Sequence, residues 1–372
     1  MEKTDNSAYW LAFASIEEVG AAFIRKVYEH FGSIKSAWCA GPDNLYRIED
    51  ITKKQMDVFL RKRAGVEPEK CLEFIQKRGI KFINFEDENY PKLLKEIHNP
   101  PMTLFYKGDF SRCNLDKTLA VVGSRRASEG AKNTLSRILG EFAGTDICIV
   151  SGLAAGIDTC AHKSAIEFGL STIAVIGSGF DFVYPKANKE LFKEIEEKAG
   201  VIISEYWPTE EPLPWRFPLR NRIVSGLCKG TLVAEAALKS GALITANLCL
   251  EQNRELMCLP GLVSNPNTEG VYKLLKNGAA LVTEGKDILD TLGWKVEILK
   301  PEEEKNAEIA GMSENEAAVF GQIAIEDCSA DALEAALGIE MADLMVILTT
   351  LELENKIKQT NGGKYTLVKF CN

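Results

Sequence analysis

Four short glycine- and arginine-bearing signatures stand in order along the middle of the chain. Each falls at or near a point where an apolar run gives way to a helical pattern. They are Val122-Gly123-Ser124-Arg125, Ser151-Gly152-Leu153-Ala154-Ala155-Gly156-Ile157-Asp158, Phe217-Pro218-Leu219-Arg220-Asn221-Arg222 and Ser240-Gly241-Ala242-Leu243-Ile244-Thr245-Ala246. The apolar runs predict strands over 118–122, 147–151, 171–176, 201–204, 231–235, 255–259 and 280–283, with amphipathic or buried helical patterns between them. Runs that are continuous, not alternating, mark strands covered on both faces. Strand alternating with helix predicts βαβ units with right-handed crossovers, hence an α/β fold with a parallel-rich sheet. Three glycine-rich loops, at 123–125, 152–156 and 177–181, would line the carboxyl edge of that sheet. Ligands of open α/β folds bind there.

The residues in these loops suit a polyanion. Gly123 lets backbone approach a ligand closely. The Ser124 hydroxyl and free helix N–H groups can donate to phosphate oxygens, and the helix dipole adds attraction. Arg125 supplies a planar, permanently charged fork. The same residues would equally serve a tight turn with an exposed arginine. Neither G-x-G-x-x-G nor G-x-x-x-x-G-K-[ST] is present, so a dinucleotide fingerprint or an ATPase loop is unsupported. Arg220-Asn221-Arg222, with Arg216 four residues earlier and Lys186 after the third loop, would complete a basic crevice. Trp215 and Phe217 beside them suit stacking of bases while phosphates are held; the plainer alternative is a solvated basic helix face. The expected binding set is Gly123, Ser124, Arg125, Gly152, Gly156, Lys186, Arg216, Arg220, Asn221 and Arg222, with no catalytic residue. Glu235 lacks a second carboxylate or a nucleophile–histidine pair nearby in sequence. Its expected role is to orient Arg222 or backbone donors. His162, one helical turn after Asp158, is expected to pack and hydrogen-bond.

Charge and cysteine usage narrow the class. The net charge of −9 argues at first against nucleic acid. Residues 301–372, however, hold 14 acidic against 5 basic side chains, which leaves 39 of each sign in residues 1–300. The acidic bias belongs to the tail, and a local basic patch in the middle stays open. Ten cysteines are scattered without a C-x-x-C pair, and there are only three histidines. Reduced structural thiols are expected, with no zinc site, disulfide framework or cofactor. The start, MEKTDNSAYW, has no basic region leading into an apolar stretch, and no apolar run approaches the ~20 residues of a membrane span. Cytoplasmic residence is the expectation.

The chain divides on the same grounds into a helical module over 1–80, of the SAM or helix-hairpin-helix type, a connector over 81–110 and the α/β domain over 111–294. An acidic linker over 295–311 and a winged-helix pattern over 312–372 follow. Paired helices such as those of the first module can grip a DNA backbone, and serve as often for packing alone. The third helix of the last module, Met341 to Glu354, carries no Lys or Arg. A recognition helix lying along phosphates needs positive charge. That domain is therefore expected to bind protein, or to occupy a basic surface, and not to bind DNA.

Taken together, these motifs resemble the DNA-processing protein A family (DprA, also called Smf). The resemblance runs from about Tyr90 to Leu289. It starts with Tyr90-Pro91-Lys92-Leu93-Leu94 and Asn99-Pro100-Pro101 and includes the four signatures. Gly179-Phe180-Asp181-Phe182-Val183-Tyr184-Pro185, Glu235-Ala236, Leu259-Pro260-Gly261 and Gly278-Ala279 also belong to it. It implies an extended Rossmann fold that dimerises and binds incoming single-stranded DNA in a basic pocket, protecting it and loading RecA recombinase during natural transformation, without enzymatic action. On it, Gly123, Ser124, Arg125, Lys186, Arg220, Asn221 and Arg222 match the pocket motifs. Two stretches depart: Leu262 to Gly270 is less small and polar than usual, and Pro214-Trp215 stands where a basic residue is common, leaving Arg216 as substitute. The alternative is a nucleotide-processing enzyme of the phosphoribohydrolase (lysine decarboxylase-like) type, with Arg222 and Glu235 as its arginine–glutamate pair. Its Pro-Gly-Gly-x-Gly-Thr loop is absent, and Leu232-Val233-Ala234-Glu235-Ala236 stands in the comparable place. A protein scaffold with a vestigial pocket is the remaining rival.

Overall fold

The computed structural model describes residues 2–295, 312–325, 328–354, 356–360 and 363–367. They fall into two compact units, 1–296 and 297–372. The first unit opens with helices α1 (Glu2–Ala14), α2 (Ala21–Phe31), α3 (Ile34–Cys39), α4 (Pro42–Leu45), α5 (Lys53–Arg63) and α6 (Pro68–Lys77). Local chemistry sets their ends. Gly32 closes α2 in the left-handed conformation, and Thr52 with Gln55 forms a capping box on α5. Phe13 stacks on Phe59 at 5.2 Å, and Trp38 stands edge-on to both rings. This aromatic core continues into the sheet through Phe105 and Ile202, so the helices form one face of the unit.

The sheet has nine strands in the order β1-β2-β6-β5-β4-β3-β7-β8-β9. These are β1 (Lys81–Asn84), β2 (Thr103–Gly108), β3 (Thr118–Gly123), β4 (Cys148–Ser151), β5 (Ser171–Val175), β6 (Gly200–Ser204), β7 (Gly230–Glu235), β8 (Glu255–Cys258) and β9 (Ala280–Leu281). From β6 to β9 all neighbours are parallel. Each of these strands lies close to the run that indicated it. β9 is the shortened one: the Thr283 N–H and hydroxyl both donate to Asp287, which turns the chain into the next helix.

The segment 81–110, expected as a connector, is part of the sheet. β2 pairs antiparallel with β6 (Phe105 opposite Ser204), and β1 pairs antiparallel with β2. Pro100 and Pro101 lack the N–H a ladder needs, so they precede the strand and do not interrupt it.

Between the strands run α7 (Lys92–Lys95), α8 (Glu129–Gly140), α9 (Ile157–Glu167), α10 (Lys189–Glu194), α11 (Arg216–Gly226), α12 (Ala242–Glu251), α13 (Glu269–Lys276) and α14 (Gly285–Leu292). A second apolar cluster, including Val150, Val175, Ile223, Val233 and Ala246, fills the face opposite the N-terminal helices. β3 has β4 on one side and β7 on the other, so the winding reverses there. A crevice opens outside the carboxyl ends of strands at such a switch. His162 is buried on α9 with Nδ1 2.7 Å from Thr172 Oγ1. Burial drives its pKa down to about 3, so it is a neutral packing and hydrogen-bonding residue.

The second unit contains α15 (Glu314–Ile325), α16 (Ala330–Leu337) and α17 (Met341–Leu353). Its small antiparallel sheet runs β10 (Cys328–Ser329), β12 (Lys364–Leu367), β11 (Ile357–Gln359). Val319, Phe320, Leu333, Leu344, Leu348 and Tyr365 make its core. This is the winged-helix arrangement the sequence order indicated. Residues 296–311 of the expected linker over 295–311, and residues 361 and 362, lie outside the described residues. Among those described, no helix is long and apolar enough to cross a membrane.

Candidate functional site

A cavity of about 570 Å³ lies at the switch point. Three loop starts define it: Gly123 to Arg126 after β3, Gly152 and Ala154 after β4, and Lys239 to Gly241 leading into α12. Phe217 and Asn221 of α11 close the fourth side. The loop after β3 is shaped from within. Ser124 N–H donates to Glu235 O at 2.7 Å, and the Ser124 hydroxyl accepts from Arg126 N–H at 3.1 Å.

The floor is a buried guanidinium with a buried carboxylate near it. Arg220 is 3% exposed, and its Nη1 donates to Gly152 O at 2.7 Å and to Val175 O. Asp158 is buried beside it and accepts from Gly152 N–H at 3.1 Å and Ala154 N–H at 3.3 Å. Burial lowers the Arg220 pKa to about 10, with Asp158 pulling the other way, so the guanidinium stays charged at neutral pH. Burial raises the Asp158 pKa against the pull of Arg220 and the two N–H groups. Gly152 is required by contact: a Cβ there would sit 2.5 Å from Arg220 Nη2 and 2.7 Å from Asp158 Oδ2. Gly156 is required by conformation and contact together. Its φ is +82°, and a Cβ would meet Ser124 O at 2.2 Å. Gly156 therefore supports the β3 loop from behind and does not line the cavity.

The mouth is basic and aromatic. Arg125 is exposed, with its guanidinium 5.7 Å from the Phe217 ring, and Phe217 lies 5.3 Å from Tyr184. Among the described residues, Arg125, Arg126 and Lys239 have no carboxylate partner. Lys186 is exposed and directly follows Tyr184 and Pro185, which line a small side cavity with Arg125 and Phe217. Sequence reasoning passed over Arg126, Lys239 and Asn267, which also line the main cavity. Arg126 was legible as the neighbour of Arg125, and Lys239 as the cation before Ser240-Gly241.

Arg216 and Arg222 lie elsewhere. Arg216 is fully buried between Glu17 (2.7 Å) and Glu210 (2.6 Å). Burial pushes Glu210 up to about 7 even with Arg216 beside it. Arg222 holds Glu205 through both terminal nitrogens, at 2.5 and 2.9 Å, and donates to Asn99 O at 2.8 Å. It lines a second cavity of about 210 Å³ near α1 and α2, together with Trp215 and Leu219. The helical repeat is the reason. Positions 217, 221 and 224 share the crevice face of α11, whereas 215, 219 and 222 share another.

Glu235 is buried and accepts from Ser128 Oγ at 2.5 Å, Ser128 N–H at 3.2 Å and Asn265 Nδ2 at 3.3 Å. It orients backbone donors at the start of α8, and Arg222 is not among its partners. The arginine–glutamate pair that nucleotide hydrolysis would call for is not assembled. Among the described residues no His, Cys, Asp and Glu cluster could hold a metal.

A family model described as DNA recombination-mediator protein A matches residues 81–293, and one described as DprA winged helix domain matches 303–363. The chain is 45% identical over 217 residues to the DNA processing protein DprA of Streptococcus pneumoniae, covering 58% of this chain and 76% of that one. The X-ray structure of the Streptococcus pneumoniae protein superposes with a TM-score of 0.67 at 36% identity, over 76% of this chain and 95% of that one. A Helicobacter pylori DNA processing protein A structure, described for its single-stranded DNA binding mode, gives a TM-score of 0.51 at 30% identity, over 57% of this chain and 95% of that one.

Proposed function

The chain belongs to the DNA recombination-mediator protein A family, and from that premise we propose that it binds single-stranded DNA in the crevice, shelters the strand and loads RecA recombinase onto it. It acts without catalysis, in the cytoplasm, on DNA entering by natural transformation, and pairs with a second copy through its α/β unit. The observation that carries this reading is the trio Arg125, Arg126 and Lys239 at the mouth of the cavity, without a carboxylate partner among the described residues, in a unit without excess positive charge. Lys186 and Asn221 add a cation and an amide at its edge. Buried Arg220 fixes the floor. Phe217 gives a base a flat surface, and contacts to phosphate and ring faces carry little sequence information.

Fluorescence anisotropy of a poly-dT oligonucleotide across salt concentrations is the test. Wild type is expected to bind in a salt-sensitive manner. Arg125→Ala is expected to weaken binding to all sequences alike and to lower the salt slope by about one. No binding by wild type at low salt, with free base released from nucleoside monophosphates, would favour the hydrolase instead.

The winged-helix unit serves a protein partner in this reading. The α17 surface shows Met345 and Val346 to solvent and carries no cation. Deleting residues 297–372 is expected to leave strand affinity unchanged or raised; a large drop in the same titration would refute this.

A further inference from the structure

The segments that follow β7 and β8 carry exposed apolar side chains where a surface loop is ordinarily polar. Leu262 and Val263, between β8 and α13, are 75% and 83% exposed. Leu238, next to Lys239, and Ile244, which lines the cavity, are also exposed. Such side chains gain free energy when they are taken out of water.

The loop that carries Leu262 and Val263 is built into the site. Asn265 Nδ2 donates to Glu235 Oε2 at 3.3 Å, and Asn267 Nδ2 donates to the Arg126 carbonyl at 3.4 Å. The Thr268 hydroxyl donates to Leu262 O (2.8 Å) and Asn265 O (2.7 Å), and the Tyr272 hydroxyl to Gly261 O (2.5 Å). Gly270 N–H donates to Ala236 O at 2.9 Å, which ties the segment to the end of β7. These bonds tie the loop that carries two exposed aliphatic side chains to the Arg126 backbone, and its Asn267 lines the cavity with Arg126 and Lys239.

We propose that Leu262 and Val263 form a wedge that enters between successive bases of a strand whose phosphates lie on Arg125, Arg126 and Lys239. This rests on the DNA-binding reading above. Branched aliphatic side chains have no flat face to stack as Phe217 does. They part neighbouring bases, and the cost of unstacking is offset by the contacts it opens. Continuity with the unpaired cations selects unpaired bases as the occupant. A second copy is the poorer fit, because two side chains supply far less than the roughly 800 Å² per partner of a standard interface.

The experiment compares the full-length wild type with Leu262→Ser/Val263→Ser and Arg125→Ala. The probe is an oligonucleotide carrying 2-aminopurine between adenines, whose fluorescence rises on unstacking. The double variant is expected to bind roughly tenfold more weakly with an unchanged salt slope and a smaller rise per bound strand. Arg125→Ala is expected to lose slope and keep the rise. A double variant with wild-type affinity and an undiminished rise overturns the wedge. A lower mass by light scattering with an undiminished rise per bound strand overturns it too, and gives the surface to a second copy. Failure of wild type to bind the probe at all sinks the DNA reading, and the wedge falls with it.

Discussion

Arg220→Ala is expected to destabilise the first unit by about 3–5 kcal/mol, because it removes a charged donor from two buried carbonyls and the compensating charge near a buried carboxylate. The substitution leaves Asp158 buried beside no cation and leaves Val175 O and Gly152 O without their donor. The cavity also loses its floor, so strand binding should fall with stability and not independently of it. Arg220→Lys should recover only part of the loss: both carbonyls are reached from Nη1, and a lysine ammonium ends one bond short of that atom. Chemical denaturation followed by tryptophan fluorescence checks this, as all five tryptophans, Trp10, Trp38, Trp207, Trp215 and Trp294, lie in that unit. A loss under about 1 kcal/mol would show that Arg220 is not the tie between the β4 and β5 ends.

Gly156→Ala has the next largest expected effect. A side chain at a φ of +82° is strained, and its Cβ would overlap the Ser124 carbonyl at 2.2 Å. Backbone strain of this kind costs about 1–3 kcal/mol before the overlap is relieved. Relief requires Ser124 and Arg125 to move, so DNA affinity should fall further than in Arg125→Ala while the salt slope also drops. Gly130→Ala is the control: Gly130 lies in the first turn of α8, has ordinary φ, and a Cβ there meets nothing within 4 Å. It should be neutral or stabilising by about 0.4–1 kcal/mol. Equal behaviour of the two variants in thermal melting and anisotropy would contradict the assignment of Gly156 as the support of the loop.

Much of the architecture was legible because buried parallel strands write themselves as unbroken apolar runs. Thr118 to Val122 and Thr231 to Glu235 are such runs. β2 was not, because its pairing with β6 is a long-range fact that a proline-led segment does not announce. At the site, Gly123, Ser124, Arg125, Gly152, Arg220 and Asn221 come together as lining residues of one cavity. Each stands at a strand end or on the facing side of α11, where the local pattern dictates position. Arg216 and Arg222 do not join them. Composition marks an arginine as charged, but the carboxylates that claim it, Glu17, Glu210 and Glu205, come from distant parts of the chain. Trp215 parts from Phe217 for the same reason of helical phase.

The two faces of α11 have a consequence for anyone reading a mutational scan. Loss of activity at Arg222 or Arg216 and loss at Arg125 would look alike in a single assay, yet they have different origins. The first two arginines are structural struts, and their variants should be temperature-sensitive and indifferent to ionic strength. The third meets solvent, and its variant should fold normally and fail in proportion to salt. A scan run at one temperature and one buffer would merge a joint of the scaffold with the hand proposed to grip the strand.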